Sequence, residues 1–144
     1  MNGGELNLAL VVAAALSALA ALLHVGCIVF GAPWYRFFGA GERMARQAEA
    51  GDWRPAAITA GIVLVLTIWS LYALSGAGAM PALPWLWPAL FAIAGVYTVR
   101  GLAGAVYAAL RRPKDRAFWW WSSAICLAFG AVHWIGIAQV WPTR

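Results

Sequence analysis

Four apolar runs dominate this chain of 144 residues: Leu6–Phe30, Pro55–Leu74, Trp85–Leu110 and Ala117–Val140. Three hold almost no charge, and the third run is broken only by Arg100. Crossing a bilayer takes about 20 apolar residues at 1.5 Å rise each. Each run meets that length, so the chain reads as an all-α integral membrane protein. A β-barrel is disfavoured because the runs are continuously apolar and do not alternate. Only 10% of the residues are charged, against about 25% in an average soluble domain. That leaves no room for a soluble catalytic domain. We read residues 1–144 as a single transmembrane domain, a four-helix bundle.

Basic residues set the topology. The link 31–54 holds Arg36, Arg43, Arg46 and Arg54, and the link after the third run holds Arg111, Arg112, Lys114 and Arg116. Of the ten Lys and Arg, only Arg100 and Arg144 lie elsewhere. The link Ser75–Pro84 has no charge. With four spans both basic links fall on one side. The positive-inside rule makes that side cytoplasmic and puts both termini on the outer, periplasmic side of a cell membrane, with a bacterial inner membrane expected. The net charge of +5 is therefore a topology signal and implies no nucleic-acid partner. The first run is too long and too acidic at its start, with Glu5, for a cleaved signal peptide.

The tryptophans agree with the spans. Trp34, Trp53, Trp85, Trp87, Trp119, Trp120, Trp121 and Trp141 lie at span ends, as an aromatic belt requires. Trp69 and Trp134 lie deeper. In the link 31–54, Gly31-Ala32-Pro33 ends the first helix, Trp34–Phe38 reads as an interfacial anchor, and Gly39–Ala50 is a short helix with Glu42 and Arg46 at i,i+4. Small residues at Ala13, Ala14, Ala18 and Ala21, and at Gly95, Gly101 and Gly104, allow close helix approach.

Arg100 is the outstanding polar residue. A central Arg costs roughly 2.5–3.5 kcal/mol on insertion scales, and no run contains an Asp or Glu to meet it. Three roles are open to it: a structural donor to hydroxyls and carbonyls, a ligand-binding cation, or a side chain snorkelling to the inner surface. Depth measured from span midpoints groups Arg100 with Cys126, roughly 4 Å to the cytoplasmic side of centre, with Thr59 and then His24 slightly deeper. Ser122 and Ser123 are near the depth of His24. Tyr97 lies one turn from Arg100. Ser70 and His133 form a weaker grouping in the outer half. The predicted ligand-binding residues are thus Arg100, His24, Thr59, Cys126, Tyr97 and His133.

These residues point to a membrane protein that binds an apolar or anionic ligand or lipid, or that serves as a partner subunit or homo-oligomer. Two other classes remain. Arg100 at mid-membrane suits a carrier or channel for a small anion. His24 or His133 suits a haem or metal redox protein, but their depths differ too much for both to ligate one iron. No cofactor, metal or catalytic residue is predicted. There is no Cys-x-x-Cys, no His-Glu-x-x-His, no phosphate loop and no carboxylate within a span. The first span lacks the carboxylate on which small multidrug transporters depend.

Overall fold

A computed structural model describes residues 5–111 and 113–141. Two residues of the charge argument, Arg112 and Arg144, lie outside the described residues. The described chain is helical: α1 Leu8–Phe30, α2 Ala32–Phe37, α3 Glu42–Glu49, α4 Arg54–Ala77, α5 Leu86–Arg111 and α6 Arg116–Val140. Four of these, α1, α4, α5 and α6, are long and apolar enough to cross a membrane. They fall on the four predicted spans, with ends that shift by up to three residues. α4 runs on to Ala77 because the hydroxyl of Ser75 holds the following loop, accepting from Leu83 N–H at 3.0 Å and donating to Pro81 O at 3.1 Å.

The residues form two compact units, one from the chain up to Ser17 together with Trp69 onward, the other Ala18–Ile68. In the first unit α5 and α6 pack as an antiparallel hairpin. Small residues make that approach possible. A Cβ on Gly101 would come within 2.6 Å of Leu127, and one on Gly130 within 2.8 Å of Thr98. Near the chargeless loop, Asn7 ties helix ends together. Its Oδ1 accepts from Leu10 N–H at 2.8 Å, which caps α1, and its Nδ2 donates to Gln139 at 2.8 Å. Its own N–H donates to Ala77 O. Leu10, Ala77, Leu90, Ala94, Ile137 and Val140 form the buried core at this end. The start of α1, the end of α4, the start of α5 and the end of α6 therefore meet. Much of the remaining helix surface is exposed Leu, Val and Ile. In water that surface would be a liability; in a bilayer it is lipid-facing.

The second unit contains the first basic link. α1 stops at Gly31, whose φ of 70° breaks the helical path at a position glycine adopts without strain. Pro33 then sits in the first turn of α2, where its missing N–H costs nothing. The predicted anchor Trp34–Phe38 is thus mostly helical. Trp34 stacks on Phe30 at 4.6 Å and packs its ring against Gly26, where a Cβ would clash with it. Tyr35 is buried, with Cys27, Ala32 and Ala45 around it.

The predicted helix 39–50 is the shorter α3, and the expected Glu42–Arg46 pair forms at 3.2 Å. A stronger clamp was not anticipated. Arg36 of α2 grips Glu42 with two bonds of 3.0 Å and donates to Glu49 at 2.7 Å. Glu42 and Glu49 share a face of α3, being seven residues apart. The Arg36 hydrogen bonds hold the Glu42 carboxyl down at about 2 and lower that of Glu49. A carboxylate depressed on folding adds stability above its unfolded value and loses it as pH falls through its folded one. The clamp is therefore expected to hold α3 at pH above 4.5 and to release it as pH falls toward about 2. Amide chemical shifts of α3 in a micelle sample check this. Shifts unchanged down to the lower limit would contradict it.

Candidate functional site

Arg100 sits about three turns before the end of α5, and its side chain runs one turn toward that end. A side chain long enough to bypass a turn needs a gap in the helix surface, and Gly104 supplies it. The position a Cβ would take on Gly104 lies 2.6 Å from Arg100 Nη1 and 2.4 Å from Ser123 Oγ. The guanidinium carbon sits 5.2 Å from the centre of the Trp119 ring, a cation–π contact. Nη2 donates to Ser122 Oγ at a long 3.4 Å, and Ser122 donates on to Trp119 O. Tyr107 packs on Trp119 at 4.7 Å between ring centres.

This is the snorkelling direction, but the guanidinium stops short of the helix ends. Ser122 is six residues beyond Arg116, the first residue of α6, about 9 Å along the helix. Two polar atoms are left over. Arg100 Nη1 and Ser123 Oγ are both buried and have no hydrogen-bond partner among the described residues. Both face the one point beside Gly104. The arrangement, the Arg100 niche, brings a fixed positive charge, a guanidinium N–H and a hydroxyl together over Gly104, with the Trp119 ring beside them. Its chemistry suits an acceptor atom with negative charge, since an unmet buried donor costs about 1–3 kcal/mol or more when charged.

The other predicted residues distribute as follows. Cys126 lies on α6 one turn beyond Ser122, on the same face, as a half-buried free thiol. Tyr97 is buried and its hydroxyl shares a hydrogen bond of 3.0 Å with Ser17. His133 is fully buried, its ring 5.3 Å from Tyr97. His133 Nδ1–H donates to Phe129 O at 2.8 Å, and Nε2 has no partner among the described residues. The Trp69 and Tyr97 rings pack edge to face and Trp134 donates to Thr98, so both deeper tryptophans contact α5. Ser70, grouped with His133 by depth, donates to Ala14 O at 2.9 Å.

His24 and Thr59 belong to the second unit. His24 Nδ1–H donates to Ala20 O at 2.7 Å. Thr59 donates to Pro55 O at 2.8 Å and accepts from Tyr35 at 3.1 Å, so its hydroxyl is engaged. Among the described residues no three His, Cys, Asp or Glu side chains group as a metal set.

Ser122, Ser123, Gly104 and Trp119 complete the niche, and none was among the predicted ligand-binding residues. The signal was the short link between α5 and α6. In an antiparallel hairpin it pairs Gly104 with Ser123 and Gly101 with Leu127. No protein-family model, curated protein or solved structure matches the chain.

Proposed function

We propose that this chain is a multi-pass protein of a cell membrane, of the bacterial inner-membrane kind, that binds an oxyanion in the Arg100 niche. One observation carries the reading: Arg100 Nη1 and Ser123 Oγ, both buried and unmet, converge over Gly104, whose missing side chain lets them come together. The span containing Arg100 has no carboxylate to neutralise it, so a bound anion is the missing counter-charge. Arg suits this better than Lys because its planar fork donates two parallel bonds to phosphate or carboxylate. The ligand chemistry is shared by a free oxyanion and a lipid headgroup. Calorimetric titration of the detergent-solubilised protein with inorganic phosphate, and separately with a short-chain phosphatidate, distinguishes the two. Saturable binding of either supports the reading, and the absence of both overturns it.

The four spans form, in this reading, one four-helix transmembrane domain. Its two termini lie on the outer side, supported by the meeting of four uncharged helix ends, three of them tied by Asn7, and by the basic residues of the two links. A C-terminal alkaline phosphatase fusion is expected to be active and a C-terminal fluorescent protein fusion dark. The reverse pattern would invert the orientation.

A further inference from the structure

The face of α6 opposite the niche carries a second feature. Ala117, Trp120, Trp121 and Ala124 line a shallow groove of about 330 Å³ over the first two turns. Two alanines make its floor low, and two tryptophans, both substantially exposed, stand beside it. Just ahead of it in the chain, in the turn and at the first residue of α6, are Lys114 and Arg116, both exposed. Among the described residues every ion pair belongs to α2 and α3, where Arg36 and Arg46 meet Glu42 and Glu49. Lys114 and Arg116 form none, not even with Asp115 between them. Two exposed cations without an ion pair thus precede an apolar groove at the start of a candidate membrane span. An occupant complementary to both needs an apolar chain joined to an anionic head.

We infer that this groove is a binding site for an anionic phospholipid, with an acyl chain along Ala117 and Ala124 and the phosphate at Lys114 and Arg116. The tryptophan rings flank the chain at the headgroup boundary, the level that indole prefers. Basic residues near the surface attract anionic lipid strongly enough to give about a fivefold preference per charge. Apolar contact alone would hold a zwitterionic lipid equally well, so the two cations make the selection.

Native mass spectrometry of the full-length protein, released from equimolar phosphatidylglycerol and phosphatidylcholine with matched chains, tests this. The measurement is made on the Gly104→Ala variant, which displaces Arg100 Nη1 and Ser123 Oγ, so failure here and failure of the niche are separate results. Phosphatidylglycerol is expected to be retained in preference. Lys114→Gln with Arg116→Gln should cut that preference about fivefold for each charge removed. Ala124→Trp should reduce retention of both lipids. These three positions are exposed, and an unchanged melting temperature shows that the fold is kept. Equal retention of the two lipids, or a preference that survives both glutamines, overturns the inference. So does a dimer that Ala124→Trp dissociates, since the groove would then be covered by a second copy.

Discussion

Alanine at position 104 is expected to abolish anion binding while leaving the melting temperature equal or higher. The added Cβ would overlap Arg100 Nη1 and Ser123 Oγ and push both donors out of their present positions. Arg100 Nη1 is the far end of a flexible side chain and Ser123 Oγ turns aside with one change of rotamer, so no backbone atom has to move. Alanine also favours the helix by up to about 1 kcal/mol over glycine. Binding and stability therefore move in different directions. Ser123→Ala removes one donor and should weaken binding by roughly tenfold or more, as for a hydrogen bond to a charged group. Arg100→Lys keeps the charge without the fork and should lose most of the affinity. Arg100→Leu should lose all of it, and it relieves roughly 2.5–3.5 kcal/mol of insertion cost. A purely structural Arg100 gives a different pattern: Arg100→Leu lowers the melting temperature and Gly104→Ala leaves any binding intact. Titration with phosphate or short-chain phosphatidate, paired with thermal melts of the same samples, separates the two.

Span existence was legible because it depends only on run length and charge, which are local. So was the pairing of Glu42 with Arg46, a contact within one helix. The site was only half legible. Depth along a straight helix placed Arg100 level with Cys126, but a side chain of that length reaches a full turn beyond its Cα. Gly104 gives it the path, and its nearest polar neighbours become Ser122 and Ser123. The same ruler could not report that Thr59 is already engaged by Tyr35 and Pro55. The Arg36 clamp was hidden for a related reason. It joins two short helices through a turn, and its geometry depends on Gly39 and Gly41, whose φ values of 70° and 94° no pattern of hydrophobicity records.

Gly95 and Gly101 lie on one helix and look equivalent in the sequence, yet they should respond oppositely to substitution. A Cβ on Gly95 would meet nothing within 4 Å. Gly95→Ala is therefore expected to be neutral, or stabilising by up to about 1 kcal/mol from helix propensity alone. A Cβ on Gly101 would lie 2.6 Å from Leu127 Cγ, 2.9 Å from its Cδ2 and 3.0 Å from the backbone oxygen of Ser123. The leucine can shift, but the backbone oxygen moves only if α6 moves. Gly101→Ala thus sets the same propensity gain against displacement of α6, and a net loss is expected. Gly101→Leu adds three more carbons to that contact. Overpacking typically costs 1–3 kcal/mol, and a full side chain against backbone belongs at or beyond the upper end of about 3 kcal/mol. Because Ser123 is the residue displaced, Gly101→Leu should also misplace the niche and abolish anion binding. Thermal melts in one detergent should rank Gly95→Ala at or above the unaltered protein, then Gly101→Ala, then Gly101→Leu. If Gly101→Leu melts with Gly95→Ala, the α5–α6 contact is looser than the structure shows, and the niche between these helices loses its foundation.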